Sequence, residues 1–373
     1  MARDSKQKII DSGLTLFSTG WYEDVSVAAL CRNAEIANGL FYFYYPSKEK
    51  FFVHLLGDYY SYLNEQLSTI PSGSHFKGLE DFFNALVTLQ GKNRKYLSVY
   101  YQGKFLFPEY EKRLLNLYRE NLTRILGTTL TQVQFAYLVA GIRFMLYRSL
   151  STNLPFPREA YLKMITNGIF SIPVIQYSRI FNTEIRDLVL LKDKNPKGQL
   201  LEKGIELFSR YGFSGVSVAD LVTASGLSVG TFYHYYSSKE DLAHQVIGQI
   251  SWRLRKYINK NIGLRLSRIE QELRGIFLFY NYFREYPDQY KVIRQAEFVV
   301  PEAAKEYYDR FEAGYLRNLK DIRIEDKAAT ANFLMGLAHF LGLEFLGIKE
   351  FDDPVSFLKE LVNPLTEGIR IDP

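Results

Sequence analysis

Two stretches of this chain, residues 25–50 and 216–241, superpose without a gap at a constant shift of 191 positions. They read VSVAALCRNAEIANGLFYFYYPSKEK and VSVADLVTASGLSVGTFYHYYSSKED. Val25-Ser26-Val27-Ala28 falls on Val216-Ser217-Val218-Ala219, Gly39 on Gly230, Phe41-Tyr42 on Phe232-Tyr233, and Tyr44-Tyr45 on Tyr235-Tyr236. Ser47-Lys48-Glu49 falls on Ser238-Lys239-Glu240. Solenoid units run roughly 20–50 residues, so a period near half the chain is instead a duplicated domain. The chain has 373 residues, enough for two domains that each bury a core. The match continues further on, with small insertions. Gln102, Phe105, Pro108 and Glu109 align with Gln295, Phe298, Pro301 and Glu302 at a shift of 193, and Ala140-Gly141-Ile142 resembles Met335-Gly336-Leu337 at 195. The function must make sense in two covalently joined copies.

Each copy opens with a helical spacing of apolar residues. Ile9, Ile10, Leu14, Leu16 and Phe17 are stopped at Thr19-Gly20, and Leu200, Leu201, Ile205, Leu207 and Phe208 at Tyr211-Gly212. Ser26 and Ser217 are placed as N-caps of a second helix, because a serine oxygen accepts from an orphan N–H of the first turn. Asp220 completes a capping box in the second copy, whereas Ala29 leaves the first without one. Gly226 suits the tight turn that follows. Ser228 caps a third helix, Val229 to Tyr236, and Ser238 opens a fourth. Two short helices joined by such a turn form a helix-turn-helix, whose second helix can present its N-terminal residues to base edges in a major groove. Gly230 allows close backbone approach, Thr231 offers a hydroxyl, and Tyr233, His234 and Tyr235 have polar tips that can reach phosphate. Lys239 is expected to add a cation beside exposed N–H groups, as a phosphate clamp. Phe232 and Tyr236 read as core.

SVADLVTASGLSVGTFYHYYSSKEDL closely resembles the DNA-binding signature of TetR-family bacterial repressors, across three helices and the start of a fourth. The resemblance implies an all-α fold with two tandem repeats, each a three-helix DNA-binding head joined to a helical ligand-binding and dimerisation domain. It implies that Ser217, Ser228, Val229, Gly230, Thr231, Tyr233, His234, Tyr235 and Lys239 face DNA, with Val229 and Gly230 nearest base edges. The corresponding set in the first copy is Ser26, Asn38, Gly39, Tyr42, Phe43, Tyr44 and Lys48. That copy departs from the pattern. Glu35 stands where the turn glycine belongs, at a cost of roughly 1 kcal/mol if left-handed. Ala37 replaces the capping serine, Leu40 the threonine and Phe43 the histidine, while Asn38 gains a side chain able to pair with an adenine edge. The first head either reads a different half-site or binds weakly. The reading adopted is a functional, non-equivalent head, against a purely structural one.

The expected domains are residues 1–50 and 198–241 for the two heads, 51–178 and 242–373 for the two bodies, and 179–197 for a linker with a helix over Arg179–Leu191. Helices are expected over Leu79–Gln90, Tyr110–Leu126, Gln132–Leu150, Arg158–Phe170, Arg268–Arg284, Ala303–Leu319, Ala328–Leu346 and Val355–Ile369, with no competing β pattern. Family resemblance has the last two helices of each protomer packing into a four-helix bundle. Here the partner is already attached, so the expectation is a monomer that imitates a dimer on an operator with unequal half-sites. The alternative is a conventional homodimer carrying four heads. Large side chains crowd the middle helices, among them Tyr96, Tyr100, Tyr101, Phe105, Phe107, Phe277, Phe279, Tyr280, Tyr282, Phe283 and Phe298. Most read as core. With the family in mind, they also suggest a pocket for a small apolar ligand such as an acyl chain, an acyl thioester or an aromatic compound.

Other classes find less support. The net charge of +5 is compatible with nucleic acid without demanding it. A single cysteine, Cys31, allows no internal disulfide, which reads as cytoplasmic, and no apolar run approaches the ~18 residues of a membrane span. His54, His75, His234, His244 and His339 are scattered without metal-ligand spacing, and no glycine-rich phosphate loop follows a strand. No metal, cofactor or catalysis is expected. A helical scaffold whose first head has lost DNA remains the rival reading.

Overall fold

The computed structural model describes residues 2–92, 94–152, 154–171, 174–188, 195–263, 265–343 and 353–370, and among these every regular element is helical. The first copy runs α1 (Ala2–Thr19), α2 (Val27–Asn33), α3 (Asn38–Tyr44), α4 (Lys48–Ser68), α5 (His75–Lys92), α6 (Arg94–Leu106), α7 (Pro108–Leu126), α8 (Gln132–Thr152) and α9 (Arg158–Asn167). A short α10 (Tyr177–Phe181) follows. The second copy repeats the order: α11 (Pro196–Tyr211), α12 (Val218–Ser225), α13 (Val229–Tyr235), α14 (Lys239–Asn261), α15 (Arg268–Glu285), α16 (Pro287–Val299), α17 (Pro301–Asn318) and α18 (Lys327–Leu343). It ends in α19 (Pro354–Glu360) and α20 (Val362–Glu367). None of the described helices is long and apolar enough to cross a membrane.

Two expectations need correction. The helix placed at Arg179–Leu191 is only α10, and residues 184–188 are extended or irregular; residues 189–194 lie outside the described residues. Backbone that leaves its helix needs other partners, and the second body supplies them. The buried guanidinium of Arg274 donates to the carbonyls of Ile180, Thr183 and Asn261, and Asn261 exchanges hydrogen bonds with the backbone of Arg186. The helix expected over Val355–Ile369 is divided at Leu361, three residues before Pro364, which has no N–H to donate and crowds the preceding turn. The end of the helix expected over Ala328–Leu346 lies partly outside the described residues, as does the side chain of Phe105.

The chain forms two compact units, and their division does not follow the repeat. Residues 1–130 make the first, whereas α8, α9 and α10 belong with the whole second copy in the other, residues 131–370. The core of the first head is aromatic: Phe17, Phe41, Phe51 and Phe52 are fully buried, with Phe17 and Phe52 edge to face at 4.9 Å.

In the second unit, α8 and α18 cross at two glycines. A Cβ on Gly336 would lie 2.8 Å from the Ala140 carbonyl and 3.3 Å from Gly141 Cα, and one on Gly141 would strike the Phe333 ring. The chain ends of the two copies meet reciprocally. Ile169 N–H donates to the Leu365 carbonyl at 2.7 Å, and Ile369 N–H donates to the Ile165 carbonyl at 2.6 Å. Gly168 (φ 73) abuts the backbone of Thr366, and Gly368 (φ 71) abuts that of Thr166. One contact is not reciprocal: buried Arg148 of α8 bonds Asp309 and Glu312 of α17, each at 2.7 Å, and Asn332 of α18.

Candidate nucleic-acid interface

In the second head each turn is closed by the residue type it requires. The Ser217 hydroxyl oxygen accepts from Asp220 N–H, and the Asp220 carboxylate accepts from Ser217 N–H at 2.8 Å, a complete capping box. Donation to the Asp220 carboxylate from the Ser217 hydroxyl, at 2.6 Å, and then from the Ser217 N–H holds that carboxyl below the usual range. Gly226 ends α12 at φ 67. Ser228 then caps α13 by accepting from Thr231 N–H, and the two hydroxyls pair at 2.9 Å.

This geometry sorts the side chains of α13. Phe232 and Tyr236 face inward, fully buried, with the Tyr236 hydroxyl donating to the Lys197 carbonyl at 3.1 Å. Ser228, Val229, Gly230, Tyr233 and His234 are exposed, with Thr231 and Tyr235 half-buried beside them. Val229 and Tyr233 present large apolar surfaces, 50% and 56% exposed. Gly230 sits on this face, where a Cβ would meet only the Ser228 hydroxyl, at 3.7 Å. A glycine inside a helix costs on the order of 1 kcal/mol relative to alanine, and nothing within the head requires it.

The first head builds the same face with fewer supports. Ser26 caps α2 by accepting from Ala29 N–H at 3.1 Å. Glu35 takes the left-handed conformation of the missing glycine, φ 55, and the turn still closes through Ile36 N–H to the Cys31 carbonyl. Ala37 gives α3 no side-chain cap. Asn38, Gly39, Tyr42 and Phe43 are exposed, Phe43 at 78%, and Tyr44 is half-buried. A Cβ on Gly39 would meet nothing within 4 Å.

The two lysines do not project as expected. Lys239 Nζ turns inward to the carbonyls of Phe213 and Val216, at 3.0 and 2.9 Å, and sits over the Phe213 ring. Lys48 Nζ likewise donates to the Tyr22 carbonyl at 2.9 Å and sits over the Tyr22 ring, and its burial lowers its pKa. The loop after the first helix has carbonyls without helical partners. Each lysine answers that local demand, which only the folded loop reveals.

A second pair of residues meets the same loop. Gln102 of α6 accepts from Tyr22 N–H at 2.9 Å and donates to the Gly20 carbonyl at 2.9 Å. Gln295 of α16 accepts from Phe213 N–H at 3.1 Å. The repeat itself marked both glutamines, but their role depends on tertiary contact. In each copy a side chain of the body thus holds the backbone on which the head is hung.

The family described as bacterial regulatory proteins of the tetR type matches residues 9–55 and again residues 200–246. The HTH-type transcriptional repressor KstR2 of Mycobacterium tuberculosis is 26% identical over 83 residues, 22% of this chain and 40% of that protein. The HTH-type transcriptional regulator LuxR of Vibrio harveyi is 31% identical over 74 residues, covering 20% and 36%. This chain therefore spans less than half the length of these two relatives. The uncharacterized HTH-type transcriptional regulator YdgC of Bacillus subtilis is 26% identical over 187 residues, covering 48% of this chain and 94% of that one. Among solved structures, the fatty acid degradation regulator FadR from Bacillus halodurans aligns with a TM-score of 0.39 at 16% identity, over 48% of this chain and all of its own.

Proposed function

We propose, from the premise that this chain belongs to the TetR family of bacterial regulatory proteins at both of its heads, that it is a DNA-binding transcriptional regulator, a repressor released from its operator by a small molecule. The observation that carries this is the glycine at the second position of α3 and of α13. Gly39 and Gly230 lie on exposed faces where the protein leaves room for a side chain. Their need is met if another surface, such as the edge of a major groove, approaches the backbone. Around Gly230, the Thr231, Tyr233, His234 and Tyr235 side chains supply uncharged groups for phosphate oxygens. Ser26 and Ser217 act at the same surface chiefly as caps. Lys48 and Lys239 brace the loop that positions it.

The two heads work as an intramolecular pseudo-dimer. A twofold interface is self-complementary, so that residue i meets j and j meets i. The paired bonds of Ile169 with Leu365 and Ile369 with Ile165, and the crossing of Gly141 on Gly336, follow that rule between copies of one chain. Tethering gives such partners an effective concentration on the order of millimolar. Arg148 adds selectivity, because it finds acids on α17, whereas the α7 positions that align with Asp309 and Glu312 at the shift of 193 are Asn116 and Arg119. A ligand releases DNA if it binds better to a body conformation in which the heads no longer fit successive grooves. Gln102 and Gln295 are the points where a change in α6 or α16 reaches the heads.

Footprinting of DNA flanking the chain's own gene, with sedimentation of the free protein, tests both parts. The expected results are a mass of about 43.4 kDa and a protected site with unequal halves. Gly230→Gln is expected to weaken DNA binding at least tenfold without any loss of thermal stability, since glutamine is the better helix former. Gly39→Gln shows whether the first head contributes: a smaller loss indicates the weaker head, and no loss supports the reading in which that head is structural. Twice the mass on a perfect palindrome overturns the pseudo-dimer, and no retardation of DNA at low salt overturns the regulator.

A further inference from the structure

A cavity of about 310 Å³ opens among α14, α15, α17 and α18 of the second copy. Part of its wall is apolar, formed by Ile262, Phe279, Phe311 and Met335. Two glycines keep it open. A Cβ on Gly275 would come no closer than 3.6 Å to Ile262, and one on Gly314 no closer than 3.9 Å to the Arg317 guanidinium. The other part of the wall carries Arg255, Arg310 and Arg317. Burial, then the like charges of Arg310 and Arg317, lower the pKa of Arg255.

The acids nearby are already engaged. Glu272 is buried in the cavity wall, held by Arg268 at 2.6 Å and by the Tyr315 hydroxyl at 2.8 Å. Glu306 pairs with Arg310 at 3.0 Å and with His244 at 3.2 Å. Arg255 donates Nε–H to the Ser251 carbonyl, and among the described residues neither Arg255 nor Arg317 has an ion pair. Three guanidiniums gathered beside an apolar hollow suit a ligand that brings its own negative charge.

The first copy lacks this arrangement. At the shifts that align α4 with α14 and α7 with α17, Arg255, Arg310 and Arg317 fall on Asn64, Leu117 and Arg124. Leu117 is buried, and Arg124 is committed to the carbonyls of Leu67 and Ile70 and to Asn121.

We propose that the chain binds one small amphipathic anion in the second copy alone, its carboxylate or phosphate head on Arg255, Arg310 and Arg317 and its short apolar tail against Phe279, Phe311 and Met335. The proposal rests on the ligand-released regulator above and narrows it, giving that regulator one sensor for two heads.

Calorimetric titration of the full chain with octanoate, octyl phosphate and 1-octanol tests it. At least one anion is expected to bind at one per chain, with octanol at least tenfold weaker. Preference for octanoate identifies a carboxylate head, and preference for octyl phosphate identifies a phosphate head. Arg310→Gln and Arg317→Gln change exposed side chains, so the fold is retained. Each is expected to weaken the anion at least tenfold and leave octanol unchanged, while Gly275→Leu fills the hollow and removes binding of every probe. Two sites per chain, octanol as tight as the anions, arginine variants without effect, or no probe bound would each overturn the proposal. DNA retardation run beside the titration separates the two readings. Retardation without probe binding sinks the ligand site alone, and probe binding without retardation sinks the regulator alone.

Discussion

Glu35 and Gly226 occupy the same turn in the two heads, at φ 55 and φ 67. A left-handed side chain is strained by roughly 1–2 kcal/mol, partly offset by the freedom that glycine loses on folding. Glu35→Gly is therefore expected to stabilise the first head by about 0.5–1 kcal/mol, read as a shift in urea midpoint. An unchanged or lower midpoint would contradict the strain argument. Much at this scale was legible in the sequence. Ser26, Ser217, Ser228, Ser238 and Asp220 cap the helices to which their spacing assigned them, because a cap is a bond between residues two or three apart. Lys48 and Lys239 were not legible. Their partners are the carbonyls of Tyr22, Phe213 and Val216, more than twenty residues away, in a loop whose shape must be known before the ammonium can be placed. The arginines around the cavity were not legible for the same reason, since Arg255 and Arg317 stand on different helices.

At the scale of the element, the heads differ in how their helix starts answer acid. Ser217 donates to the Asp220 carboxylate through its hydroxyl and then its N–H, Ser237 N–H donates to that of Asp241, and these bonds hold both carboxyls below their usual range. A depressed carboxyl contributes stability above its unfolded pKa of about 3.9, and the contribution is lost as pH falls through the lower folded value. The first head has Ala29 and Lys50 at these positions. Amide-exchange protection at Ser217 and Ser237 is accordingly expected to fall below about pH 4, while the Ala29 amide, bonded to the neutral Ser26 hydroxyl, keeps its own. Equal loss in the two heads would refute the assignment. Most helices could be read from apolar period, within a few residues of their ends. No bounds were assigned from the sequence to α6 and α16, and elsewhere the exceptions have local causes: Pro364 interrupts the last run, and the stretch after Phe181 trades its helical bonds for Arg274 and Asn261.

At the scale of the whole chain, duplication was plain from the string at 25–50 and 216–241, but the compact units were not. The helices α8 and α9 are the first copy's by sequence and pack with the second copy in space, because Gly141 and Gly336 let two backbones approach more closely than either lets a side chain intervene. Gly336→Leu forces a branched side chain against the Ala140 carbonyl and the Phe144 Cβ, each 2.8 Å from the new Cβ. It is expected to cost about 3 kcal/mol or more of the second unit's stability. Gly314→Ala, in a roomy position of α17, is expected to add up to about 1 kcal/mol through helix propensity. Equal behaviour of the two variants in a urea titration would refute the close crossing.

The paired backbone bonds between Ile165 and Ile369 and between Ile169 and Leu365 also have a genetic consequence. Subunits of an ordinary dimer are shuffled, so a defective allele poisons half or more of the assemblies in a cell that also carries a sound one. If the pseudo-dimer proposed above holds, a chain that closes this seam on itself exchanges with no one. Damaged and intact copies would then coexist without mixing, and each of the two heads would be free to diverge without breaking a partner encoded elsewhere.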